Sequence, residues 1–114
     1  MQPQSLIDRA HLDAQTFGDS DLAREVLQLF VTQCAALLPA IQDATLGIDA
    51  RADHAHTLRG SAVGVGACAV AAACAMLEGD FRAGTLEPDG LKRLAAAVSA
   101  TLDEIADGRN DGRG

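Results

Sequence analysis

The chain has 114 residues, 48% hydrophobic and 22% charged, enough for one packed domain and too apolar for a disordered chain. Aromatics are 3% and alanine and leucine abound, a helix-forming composition that argues against a β-sandwich or barrel. Sixteen acids against nine bases, with no run of Lys or Arg, argue against nucleic-acid binding, and the longest apolar stretch, residues 67–77, is too short for a membrane span of about 20 residues.

In chain order, residues 5–17 carry Leu6, Ile7, Leu12 and Phe17 and predict a short or broken helix that ends at Gly18. Asp19 or Ser20 caps the next helix, and Asp21 suits its first turn. Leu22, Val26, Leu29, Phe30, Gln33, Leu37 and Ile41 then follow helical spacing as far as Gly47. Pro39 predicts a kink or break near residues 35–39. A third helix is expected over about residues 49–65. A fourth, over about 69–82, has Val70, Ala73, Cys74, Leu77 and Phe81 on one stripe. Pro88 opens a fifth, where Leu91, Leu94, Val98, Leu102 and Ile105 line one face. Asp103, Glu104 and Asp107 read as a solvated face. The expected fold is all-α: an antiparallel four-helix bundle with a short additional N-terminal helix, over residues 1–107. Residues 108–114, without an apolar anchor, read as a disordered tail. The three cysteines, Cys34, Cys68 and Cys74, are an odd number without a secretory signal ahead of them. They read as small reduced core residues of a cytoplasmic protein.

The chemistry concentrates in residues 55–67, AHTLRGSAVGVGA. On a helix turning about 100° per residue, Ala55, Leu58, Ala62 and Val65 form the core stripe, and His56 points to solvent. Arg59, Gly60 and Val63 fall within about 60° of His56. A neutral imidazole is a competent nucleophile near neutral pH, and a cation one turn on can offset the charge of a phosphoryl group attached to it. Gly60 costs roughly 1 kcal/mol of helix propensity, which makes sense where another backbone must come close, and Gly64 extends the same smooth strip. If the next hairpin turns near Ala67, His56 and Glu78 lie at equal heights, eleven residues either side. Glu78 is then placed to accept a hydrogen bond from His56 Nδ1–H, leaving Nε2 free to react.

The same helix offers other readings. His54 lies about 160° from His56, near the core side, with Thr57 rather than a cation three residues on. His54 and His56 point to opposite sides and cannot chelate together, and no zinc spacing joins Cys68 to Cys74, so no metal site is expected. His11 reads as a surface residue near the partner face, Ser61 as a residue of the helix flank, and Gly66 as a helix end.

The 55–67 segment, with Cys74, Leu77-Glu78 and Arg82-Ala83-Gly84 after it, resembles the histidine-containing phosphotransfer (HPt) domain family. His11-Leu12-Asp13, Phe17-Gly18-Asp19 and Leu29-Phe30 resemble that family's first two helices, so the likeness spans roughly residues 6–105. It implies a phosphoacceptor at His56, with Arg59 at the family's basic position, Gly60 at its small position and Glu78 where Gln or Glu meets the histidine. Val65 stands where leucine is common. It implies exchange of a phosphoryl group with the aspartate of a response-regulator receiver domain, in a relay fed by a sensor or hybrid histidine kinase. The chain itself then needs no cofactor and has no kinase activity, and Mg²⁺ belongs to the partner receiver. Docking is expected at Gly60, Gly64, Thr57, Val63 and Leu12, with Leu6, Ile7 and Val26 as further apolar candidates. Met1 and the short tails suggest a free-standing protein; the resemblance is to the bacterial type, and a monomer without nucleic-acid or membrane partners is expected. The competing readings are a non-catalytic helical module that binds a receiver or kinase without being phosphorylated, and a homo-oligomerising bundle.

Overall fold

The computed structural model describes residues 5–85 and 87–110, with the backbone alone at 109 and 110. Five helices follow one another: α1 (Arg9–Gln15), α2 (Ser20–Gln42), α3 (Ile48–Val65), α4 (Cys68–Ala83) and α5 (Pro88–Asn110). Helices α2 to α5 pack in a closed ring, each against the next and α5 back against α2, while α1 lies on α3 and α2. Short connections make successive helices antiparallel. Helix α5 continues to Asn110, three residues into the stretch expected to be a tail; residues 111–114 lie outside the described residues.

Local chemistry explains the boundaries. Asp19, in extended conformation, accepts from the backbone N–H groups of Asp21 and Leu22 and caps α2. Helix α2 runs unbroken through Pro39 to Gln42, so the expected break is absent. Proline removes one intrahelical bond, and three residues from a helix end little remains to be disrupted. The helix stops short of Gly47 because Asp43 turns the chain: its carboxylate accepts from Thr45 N–H at 2.9 Å and Thr45 Oγ1–H at 2.6 Å. Arg51, a buried cation, donates from Nε to the Ile41 carbonyl at 2.8 Å and lies 4.8 Å from the Phe81 ring centroid. It satisfies one of the last carbonyls of α2.

Helix α1 begins later than the apolar pattern suggested. Residues 5–7 bend and are held by Glu104, whose carboxylate accepts from Ser5 Oγ at 2.6 Å, Leu6 N–H at 2.8 Å and Ile7 N–H at 3.0 Å. Glu104 therefore anchors the N-terminal segment rather than forming a solvated face. Burial alone would raise its carboxyl, but these hydrogen bonds and nearby Arg9 hold it below the usual carboxylate range.

The core stripes of α3 and α4 are buried as expected: Ala55, Leu58, Ala62 and Val65 on one, Val70, Ala73, Cys74, Leu77 and Phe81 on the other. On α2 the buried set is Leu27, Phe30, Cys34 and Ile41, and Leu29 is exposed, about 100° from Phe30. By length and composition α2 could cross a membrane; here that buried set faces the bundle. Cys68, at the start of α4, is exposed rather than in the core. Burial pushes the Cys34 and Cys74 thiols up to about 11 and about 12. They sit on diagonal helices that nowhere bring Cα atoms within 8 Å, beyond disulfide reach.

Candidate functional site

Small side chains build the site. Ala52, Ala55 and Ala62 of α3 and Ala73 and Cys74 of α4 are all buried in a bundle where α3 and α4 pack together, and small side chains at a helix contact allow close axes. The two-residue connection, Gly66 and Ala67, keeps α3 and α4 in antiparallel register. Gly66 ends α3 at φ +79°, in the left-handed region, and a Cβ there would lie 2.9 Å from the Asp8 carbonyl oxygen. Asp8 N–H in turn donates to the Gly66 carbonyl at 2.9 Å, so the chain leading into α1 is tied to the end of α3.

That register brings His56 and Glu78 together. His56 Nδ1 lies 3.1 Å from Glu78 Oε1, and the imidazole side chain is 65% exposed against 17% for the glutamate. An ionised carboxylate only accepts, so Nδ1 carries a proton, and in the neutral ring Nε2 is then the nitrogen with the free lone pair. The His56 bond, reinforced by Arg82, holds the Glu78 carboxyl below the usual carboxylate range although its partial burial acts the other way. Arg59 Nη1 approaches the same Oε1 at 3.7 Å. On the far side, Arg82 Nε donates to Glu78 Oε2 at 3.3 Å and Arg82 Nη2 to Asp53 Oδ1 at 3.0 Å. The contacts step backward along α3 as they step forward along α4, as antiparallel helices require.

The surround of His56 is open. A Cβ at Gly60 or Gly64 would meet nothing within 4 Å, so neither glycine serves packing inside this chain. Val63 is 53% exposed, and Thr57, also exposed, turns its hydroxyl inward to donate to the Asp53 carbonyl at 3.0 Å. His11, half-buried, places Nε2 at 2.9 Å from the Val63 carbonyl and so fastens α1 beside this strip. Leu12 does not belong to the docking set: it is 1% exposed, the one buried residue of α1, because a seven-residue helix lying on α3 must turn its apolar side chain inward. Ile7 is buried likewise, and Leu6 and Val26 are half-buried. Among the described residues of the N-terminal segment the exposed large apolar side chain is Phe17, at φ +55°. His54 is half-buried. Among the described residues no group of three or more His, Cys, Asp or Glu is placed to hold a metal ion.

Sequence reasoning missed Arg82 and Asp53 as members of the site. The signal for Arg82 was its position four residues after Glu78, where an acid followed by a base pairs along a helix.

The chain matches the Hpt domain family over residues 25–108, most of its length. It belongs to that family. The matched stretch starts inside α2, so the likeness noted for α1 lies outside it. Comparison with curated proteins and with solved structures found no match. Hpt domains serve histidine phosphotransfer in phosphorelays, interact in general with receiver domains and histidine kinases, and are typically soluble.

Proposed function

We propose that this Hpt domain relays a phosphoryl group between His56 and the aspartate of a response-regulator receiver domain, acting as a cytoplasmic monomer. The observation that carries the reading is the outward imidazole whose Nδ1 is engaged by Glu78, which leaves Nε2 facing solvent. The Nε2 lone pair attacks the phosphorus of the aspartyl phosphate in line. An N–P bond forms, the P–O bond to the aspartyl carboxylate breaks, and the free carboxylate leaves. The Nδ1 proton stays on the ring, so the ring becomes cationic and the Glu78 carboxylate faces that charge. Arg59, one turn on with a single long contact to Glu78, meets the charge of the arriving phosphoryl group. Mg²⁺ held by the receiver steadies the group in transit. The bare backbone at Gly60 and Gly64, with Val63 and Thr57, admits the receiver's surface, and the contact is modest and transient.

Incubation with a phosphorylated receiver tests this. Acid-labile, base-stable label is expected on the wild-type chain and none on His56→Gln. Label that persists in the variant contradicts the site. Absence of label with every receiver, where binding still occurs, points to the non-catalytic module.

A further inference from the structure

We propose that Arg82 is a positioning residue for phosphotransfer at His56: anchored by Asp53, it grips the far oxygen of Glu78 and so holds the near oxygen on His56 Nδ1. The proposal rests on the phosphoacceptor reading of His56.

A glutamate has three side-chain torsions and loses substantial rotamer entropy when held in one of them. One hydrogen bond to a ring that is itself mostly exposed is a weak restraint on such a chain. Arg82 supplies the second restraint. Glu78 Oε1 faces His56 and Arg59, whereas Oε2 is taken by Arg82 Nε at 3.3 Å, so the two oxygens are held by different groups. The guanidinium is not loose either, because its Nη2 arm reaches across to Asp53 Oδ1 at 3.0 Å. Asp53 stands one turn before His56 on α3. The contacts therefore close a circuit: His56 to Glu78, along α4 to Arg82, across to Asp53, and along α3 to His56. Each side of that circuit is a short helical step or a polar contact, so displacing Glu78 requires breaking one of them.

The circuit also divides labour between the two arginines. Arg82 is committed to two carboxylates, and its rigid fork suits holding both at once. Arg59 has one contact, at 3.7 Å, and is the guanidinium with capacity for a new anion. Without Arg82, Oε2 loses its partner and the carboxylate turns toward water or Arg59. The ring then populates both tautomers, and in the Nε2–H form the attacking lone pair is occupied by a proton.

The test combines nitrogen-15 NMR of the His56 ring with transfer rates from a phosphorylated receiver, on wild type, Arg82→Ala, Arg82→Lys and Asp53→Asn. Wild type is expected in the Nδ1–H tautomer. Arg82→Ala is expected to show a mixture of tautomers and transfer slowed about tenfold, the rate equivalent of one charge-assisted hydrogen bond, with unchanged dependence on receiver concentration. Arg82→Lys, which keeps the charge but not the fork, is expected to recover part of both effects, and Asp53→Asn to slow transfer about twofold to threefold. Arg82 is half exposed, so these variants retain the bundle. A wild-type tautomer in Arg82→Ala overturns the proposal, whether transfer is slowed or not, since a rate change alone then reflects docking or direct contact. A wild-type chain that accepts no phosphoryl group overturns the phosphoacceptor reading instead, while the ring signals still judge the grip of Arg82 on Glu78.

Discussion

Helix α3 carries glycines of two kinds. Gly66 closes the helix at φ +79° with the Asp8 carbonyl where a side chain would stand. Gly60 and Gly64 lie within the helix, Gly64 in its last turn, with ordinary backbone angles and open space where a side chain would project. The first glycine is required by the fold of this chain. The other two are unfavourable for the helix and fill no packing role among the described residues, which fits the docking role proposed for them. The end of α3 is thus held by packing inside the chain, while the face that carries Gly60 and Gly64 is left bare.

Substitutions sharpen the contrast, because the two classes respond with opposite sign. Gly66→Ala combines a left-handed residue with a collision against Asp8 and is expected to destabilise the bundle by about 2–3 kcal/mol, read by urea denaturation. Glu104→Gln weakens the anchor that lays residues 5–7 over that end, with an expected cost of roughly 1.5 kcal/mol by the same method. Gly60→Ala is expected to gain about 1 kcal/mol of stability and yet to slow phosphotransfer, because the added methyl meets only the partner. A Gly60→Ala variant that is destabilised, or that is stabilised and transfers at the wild-type rate, breaks the comparison.

Acid and alkali act on different parts. Glu104 and Glu78 have lowered carboxyl values, so their contributions are present above the ordinary glutamate value of 4.5 and fade as the pH falls through their lower folded values. Stability is therefore expected to hold at pH 5 and to decline only in stronger acid. The buried thiols have the opposite sign. Above the ordinary thiol value of 9.0 they ionise in the unfolded chain but stay neutral in the folded one up to about 11 and about 12, so stability falls as pH rises past 9.0. The smallest effect is in thiol labelling at pH 8. Cys68 is expected to react promptly, while Cys34 and Cys74 wait for unfolding.

Much of this arrangement was legible in the sequence. The apolar stripes of α3 and α4 were legible because residues three and four apart share a face whatever they pack against. The pairing of His56 with Glu78 was legible because a two-residue connection leaves little freedom in the register of two antiparallel helices. Four features were not. Leu12 was misplaced because the pattern marks a residue as apolar without saying whether that face is covered, and α1 is too short to show a full stripe. Glu104 was read as solvated because its partners lie at the opposite end of the chain. Arg82 was overlooked although it stands four residues after Glu78, because its second partner, Asp53, lies on another helix, which periodicity along α4 does not reveal. Cys68 sits at the helix start, off the buried stripe, and composition alone counted it with the core.

The central claim is that the nitrogen of His56 turned away from Glu78 takes the phosphoryl group. Phosphorus–nitrogen correlation NMR on the chain phosphorylated by a receiver tests it most directly. The account predicts phosphorus coupled to Nε2 of His56, with Nδ1 still protonated. Coupling to Nδ1, or to the ring of His11 or His54, contradicts it.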